Sequence, residues 1–307
     1  MNKQAFLVNP DVDDFLAWLA RALPRLKICL DIKRSNFVPS APRVGVTGLE
    51  SVLTHYTWKS HGMATGDWAE TRARLTALAH ALRDAVRRGS NPDALDVCRD
   101  ILQWRGNRGW NRGAYPFLDA RATAGVLCDY IGDMRAVFAL DTTNMDALAP
   151  PVGLLNSMLT KVHALYAADG LPIYDSRVAA AIASLVEMWR VATGKSGDPL
   201  PASLTFPATT ASRTVRRRFP HASSPGVMTY GAPETTGQWA SAKVRLGWIM
   251  ESILGRMPAL FSDCCLAPSL ADRMHAFEAS LFMIGYDVAC LGCALEANRF
   301  PNTRRAA

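Results

Sequence analysis

Apolar residues recur at three- and four-residue intervals along most of this chain, a spacing that places them on one face of a helix. Over residues 11–23 the spacing gathers Val12, Phe15, Leu16, Leu19 and Leu23 on one side, with acids in the first turn and a proline after the end. Residues 67–88 repeat the pattern, with Trp68, Leu75, Leu78, Leu82 and Val86 inward and arginines outward. Gly89-Ser90-Asn91-Pro92 then stops that helix and caps another that runs through Trp104. The same reasoning predicts helices near 47–58, 116–130, 151–167, 175–192, 239–256 and 269–296. Strand-like alternation is almost absent. The expected fold class is therefore all-α, with a short hairpin or two at most.

Two segments interrupt the helical texture. Residues 105–113 (RGNRGWNRG) form a glycine-rich turn that interleaves Arg108 and Arg112 with Asn107, Asn111 and Trp110. Residues 198–238 are rich in Pro, Ser, Thr and Gly and carry Arg213, Arg216, Arg217 and Arg218 at their centre. A loop of that length inside a compact protein is commonly a functional one. Trp104 reads as a core residue. Trp110, between Gly109 and Asn111, is harder to bury and suits a stacking or wedge role.

Charge adds a direction to this picture. The 307 residues include 34 basic and 27 acidic side chains, a formal net charge of +7, which favours a polyanionic partner, double-stranded DNA first among them. No run of about 18 apolar residues suggests a membrane span, and acids stand where a leader peptide needs an apolar core, so a cytoplasmic location is expected. Seven cysteines, an odd number scattered along the chain, read as reduced thiols. Cys290 and Cys293 form a CxxC and Cys264 and Cys265 are adjacent, but apolar flanks and neighbouring side chains that cannot converge on one ion argue against a metal. No cofactor, metal or obligatory protein partner is expected. His163 and His275 lie within helices without ligand-spaced partners and read as packing residues.

The stretch from Leu154 to Ile182 is the most informative. Lys161 stands near the start of a short helix, a turn follows at Ala168-Asp169-Gly170, Leu171-Pro172-Ile173-Tyr174 returns, and Asp175 opens the next helix. The helix climbs about 9 Å from Lys161 to Ala167, and residues 168–174 can span up to about 25 Å. The carboxylate can therefore come back toward the amine. Asp175 as a helix N-cap would be held ionised by backbone N–H groups and the positive helix end. A lysine beside such a carboxylate suits cleavage of an N-glycosidic bond, which builds positive charge on the sugar and calls for a nucleophile or an ionised acid beside C1′.

At Thr160-Lys161-Val162 and Pro172-Ile173-Tyr174-Asp175 the sequence resembles the helix-hairpin-helix DNA glycosylase superfamily, in particular its 8-oxoguanine DNA glycosylase-like branch and related bacterial proteins. The resemblance is close over about thirty residues and loose elsewhere. It implies that Lys161 is a Schiff-base nucleophile and Asp175 its electrostatic and acid/base partner. It also implies one glycosylase-like unit over 1–307, with subdomains of about 1–150 and 151–307 flanking a base-binding cleft. The family hairpin usually carries glycines before the lysine, where this chain has Ser157-Met158-Leu159, which bears on amide donation to a DNA phosphate. The activity so implied is base excision with base flipping. The substrate would be a damaged or modified base, including the hypermodified cytosines of phage DNA and hence antiviral defence. Arg213, Arg216, Arg217, Arg218, Arg108 and Arg112 would contact phosphates. By analogy Asn107 or Asn111 would fill the gap left by the flipped base. The rival expectations are a non-catalytic DNA-binding or regulatory protein on the same scaffold, and a helical interaction protein without a nucleic-acid role.

Overall fold

The computed structural model describes residues 1–104, 113–148, 154–207 and 233–291. Eleven α-helices and one two-stranded sheet make up its regular elements. In chain order they are α1 (Lys3–Leu7), α2 (Pro10–Ala22), β1 (Lys27–Asp31), β2 (Arg43–Thr47), α3 (Glu50–Leu53), α4 (Trp68–Arg87), α5 (Asn91–Trp104) and α6 (Tyr115–Thr123). They continue as α7 (Leu127–Val137), α8 (Leu159–Tyr166), α9 (Ser176–Ala192), α10 (Pro233–Arg256) and α11 (Leu270–Ile284). The chain is mostly helical, as its periodicity predicts.

Several helices start at side-chain caps that satisfy backbone donors. Asn9 accepts from Asp11 N and Val12 N at 3.1 and 3.3 Å, with Pro10 in the first turn of α2. Asp67 caps α4 through Glu70 N at 2.9 Å, while the Glu70 carboxylate turns back to the amides of Ala64, Thr65 and Gly66. Ser269 and Asp272 form a reciprocal capping box at α11.

Five expectations change. The loop expected over 198–238 ends earlier, because α10 already begins at Pro233. Residues 47–58 are not one helix: Arg43–Thr47 pairs antiparallel with Lys27–Asp31, and Gly48 turns the chain at φ +85° before the four-residue α3. Val52, Leu53, Tyr56 and Trp58 are buried there as the apolar spacing requires, but by a short helix followed by irregular chain. The helix expected over 116–130 is two, separated at Gly125, which adopts φ +73°. The helix expected over 151–167 shortens to α8, because residues 154–158 lead into it through a side-chain-capped turn. The last expected helix ends at Ile284, and Val288–Cys290 forms a single tight turn.

The centre of the molecule is α9, α10 and α11. Along α9 the residues from Val178 to Val186 are buried, as are those of α11 from Ala276 to Ile284, so these helices are enclosed on all sides. Trp189, Trp239 and Trp248 are fully buried. The indole of Trp248 donates to Leu140 O at 2.7 Å and that of Trp189 to Asp14 at 3.2 Å. A single hydrophobic cluster runs from Phe6 to Leu291. At about 1.5–3 kcal/mol for each large apolar side chain, it supplies the main force for folding.

No helix among the described residues is long and apolar enough to cross a membrane. The expectation of seven reduced thiols needs correction, because Cys29 on β1 is disulfide-bonded. Cys98, Cys128, Cys264, Cys265 and Cys290 are unbridged. Small scattered cysteines give no sequence signal that separates these fates, and the bond at Cys29 weakens the thiol argument for a reducing compartment.

Candidate active site at the α8–α9 return

The chain enters α8 through a turn built by Asn156. Its side-chain oxygen accepts from Met158 N at 2.9 Å and Leu159 N at 3.1 Å, and its carbonyl accepts from Thr160 N at 3.0 Å. Asn156 thus does with a carboxamide what a glycine hairpin leaves open for a ligand. Two of the amides that could have faced a phosphate are already satisfied, and Asn156 itself is buried.

After α8 the chain reverses at Gly170, whose φ of +81° and close approach to Met274 exclude a side chain. Asp169 pins the reversal by accepting from Leu140 N at 3.0 Å and Leu171 N at 3.3 Å. The returning strand is then tied to α8: Tyr174 N donates to Thr160 Oγ1 at 3.0 Å. Lys161 follows Thr160 and Asp175 follows Tyr174, so standard bond lengths hold their Cα atoms within about 15 Å of each other.

Both side chains are buried, Lys161 at 2% exposure and Asp175 at 5%. Asp175 is the N-cap of α9 in an extended conformation, and its Oδ1 accepts from Arg177 N at 2.8 Å and Val178 N at 3.1 Å. Those bonds and the helix end favour the ionised carboxylate. The Lys161 ammonium donates to Ser157 O, one turn earlier.

Two cations at this site carry no motif in the sequence. Lys243, from α10, is fully buried, and its Nζ donates to Thr160 O at 2.9 Å, Thr160 Oγ1 at 3.0 Å and Pro172 O at 2.5 Å. It therefore clamps the start of α8 to the returning segment. Burial pushes its pKa down to about 7, against the pull of Glu278 and Asp169. Arg177, two residues beyond Asp175, stacks its guanidinium on Tyr286, Phe282 and Trp58, at 4.2, 4.9 and 5.6 Å from the ring centroids. Its Nε is buried with no hydrogen-bond partner among the described residues, and burial lowers its pKa.

The expected DNA contacts cannot be placed beside this geometry. Arg108, Arg112, Asn107, Asn111 and Trp110 lie outside the described residues, and so do Arg213, Arg216, Arg217 and Arg218. Trp104 is a core residue, 4% exposed, and its carbonyl accepts from the Trp58 indole at 3.0 Å. His163 is buried against Phe138, with Nε2 3.2 Å from the Tyr130 hydroxyl, and burial holds its pKa down at about 3. Its role is packing. Cys290 packs its thiol on Ile284 O, and burial raises the Cys264 pKa to about 12. Cys293 lies outside the described residues.

No protein-family model, curated protein or solved structure matches the chain at a significant level. The functional reading therefore rests on the residues of this site.

Proposed function

We propose that the chain is a DNA glycosylase acting through Lys161 and Asp175. The observation that carries the reading is that two buried ionisable side chains stand on the two limbs of one return, next to the Thr160–Tyr174 tie, the carboxylate fixed at a helix N-terminus and the amine on the preceding helix. With a nucleotide extruded beside them, the Asp175 carboxylate stabilises positive charge developing on the sugar. The Lys161 amine, deprotonated and released from Ser157 O, attacks C1′ as the C1′–N bond breaks, and the base leaves with the bonding electron pair and takes up a proton. Sugar-ring opening then gives a Schiff base, which water can hydrolyse. The net charge of +7 and the arginines of 105–113 and 198–238 support a DNA substrate. The substrate class is a modified base, and a long basic segment in the sequence, together with a turn without glycines before Lys161, favours a hypermodified phage cytosine.

The test incubates the protein with duplexes bearing a panel of modified bases, including glucosylated hydroxymethylcytosine from phage DNA, and measures released base. Asp175→Asn keeps much of the cap but removes the charge, so excision should fall at least about 100-fold with DNA binding nearly unchanged. Near-normal excision by a folded Asp175→Asn protein would falsify this mechanism. A second reading, a DNA-binding protein without catalysis, is favoured by one observation: the Lys161 ammonium is engaged by Ser157 O. It predicts salt-dependent DNA binding and no released base from any duplex.

A further inference from the structure

A separate cavity of about 340 Å3 opens between α4, the end of α8 and the start of α11. It falls within the size range of small-molecule sites. Trp68, Leu75, Ala79, Leu165, Ala168 and Ala271 give it apolar walls. The Trp68 indole N–H is already engaged by Cys264 O at 3.1 Å, which leaves the ring system as apolar surface.

The polar groups around this cavity are unevenly satisfied. Asp272, the one carboxylate of the lining, is fully engaged: Oδ1 accepts from Arg72 Nε at 3.1 Å, and Oδ2 from Ser269 N at 3.0 Å and Ser269 Oγ at 2.6 Å. Arg83 is fixed by the carbonyls that end α8, with Nε on Tyr166 O at 3.0 Å and Nη2 on Leu165 O at 3.0 Å and Ala167 O at 2.6 Å. That arrangement makes the guanidinium rigid and leaves Nη1 without a protein acceptor among the described residues. His275 likewise has no hydrogen-bond partner there, and burial lowers its pKa to about 4, so the imidazole is neutral and offers one donor and one acceptor. Burial lowers the Arg83 pKa, and the nearby charge of Arg135 adds to that.

Donors without acceptors, two arginines against one carboxylate in the lining, and apolar walls describe a site for an organic anion. We propose that this cavity binds a small molecule that joins one phosphate monoester or carboxylate to a flat apolar body, its anion held by Arg83 and His275 and its body against Trp68 and Leu75. The guanidinium is preorganised by the α8 carbonyls, so little side-chain freedom is lost on binding. The site is distinct from the Lys161–Asp175 return and does not depend on the glycosylase reading.

The experiment is calorimetric titration of the full chain with adenosine 5′-monophosphate, benzoate, adenosine and inorganic phosphate. Saturable binding of adenosine 5′-monophosphate or benzoate with Kd below about 1 mM is expected, with adenosine and inorganic phosphate at least about tenfold weaker. A preference between the first two identifies the anion as phosphate ester or carboxylate. Arg83→Met should weaken binding at least about tenfold. Because that change also removes three bonds at the end of α8, Thr76→Trp provides a second route: Thr76 is exposed on α4 at the cavity wall, and a bulky ring there obstructs the space. Absence of saturable binding to about 10 mM by both organic anions would overturn the proposal, as would adenosine binding as tightly as its monophosphate. Unchanged affinity in folded Thr76→Trp protein would overturn it as well, by placing the binding elsewhere.

Discussion

The two ends of α8 treat polar groups in opposite ways. At its start, Asn156, Thr160, Lys161 and Lys243 all bond to neighbouring backbone or to one another, and across the return Asp175 is bonded to the first amides of α9. At its end, Arg83 and His275 face an opening with hydrogen-bonding capacity left over. A self-satisfied buried network holds side chains in place and makes each member costly to remove, whereas a wall with spare donors is ready for a ligand and tolerant of change. Rigidity at one end of a helix and recognition at the other are therefore separable by mutation.

The contrast is broken most severely at Lys161. If its amine attacks C1′, borohydride traps the wild-type protein on substrate DNA, and Lys161→Gln abolishes the trapped species. The double variant with Asp175→Asn should be barely slower than the poorer single one, because the two groups act on one bond. Excision that persists without any trapped complex would reassign Lys161 to orienting water.

Lys243 comes next. Lys243→Met leaves the carbonyls of Thr160 and Pro172 without their donor and should lower stability by about 3 kcal/mol, read from urea midpoints. As a positioning residue it should also affect the proposed reaction, with excision falling in kcat more than KM changes. Thr76→Trp at the other end should move stability by less than about 0.5 kcal/mol. The lysine carries a pH signature as well. Its folded pKa of about 7 lies below the ordinary 10.5, so the unfolded chain binds more protons between those values and stability rises with pH across that window. The rise should be absent in Lys243→Met.

An effect confined to the acid limb of the profile concerns His163. Its pKa of about 3 in the fold lies below the ordinary 6.5, so stability falls as pH drops from about 6.5 toward 3. His163→Phe should flatten that part of the profile in denaturant titrations. An unchanged acid limb would assign the loss to other groups, His275 among them.

Much of this architecture was readable in advance, for identifiable reasons. α2, α4, α5 and α9 announce themselves because a capping residue, an apolar stripe and a stop signal agree. Asp175 was legible as a cap because Pro172 and the following small residues leave the chain few alternatives. The hairpin and the shortness of α3 are not legible, because Leu49, Val52, Leu53 and Tyr56 keep helical spacing although α3 itself stops at Leu53. Lys243 carries no such signal by itself, because a lysine in a helix ordinarily faces water. Its setting, with Trp239, Ala240, Ala242, Val244, Leu246 and Trp248 around it, leaves no polar face to occupy, and that is the signal that could have found it. Arg177 has no comparable signature, since its aromatic partners come from distant parts of the chain.

The clamp made by Lys243 also orders events in time. Thr160 and Tyr174 are 14 residues apart and can meet as soon as that short loop closes, whereas Lys243 reaches Thr160 across 83 residues. Loop-closure entropy makes the second contact costlier by about 1.6 kcal/mol, and on a growing chain its lysine emerges long after the return has been synthesised. The return can thus be sketched early but is locked only when α10 docks. Amide exchange at Tyr174 during refolding would report the two stages: weak protection first, then full protection as the last helices arrive.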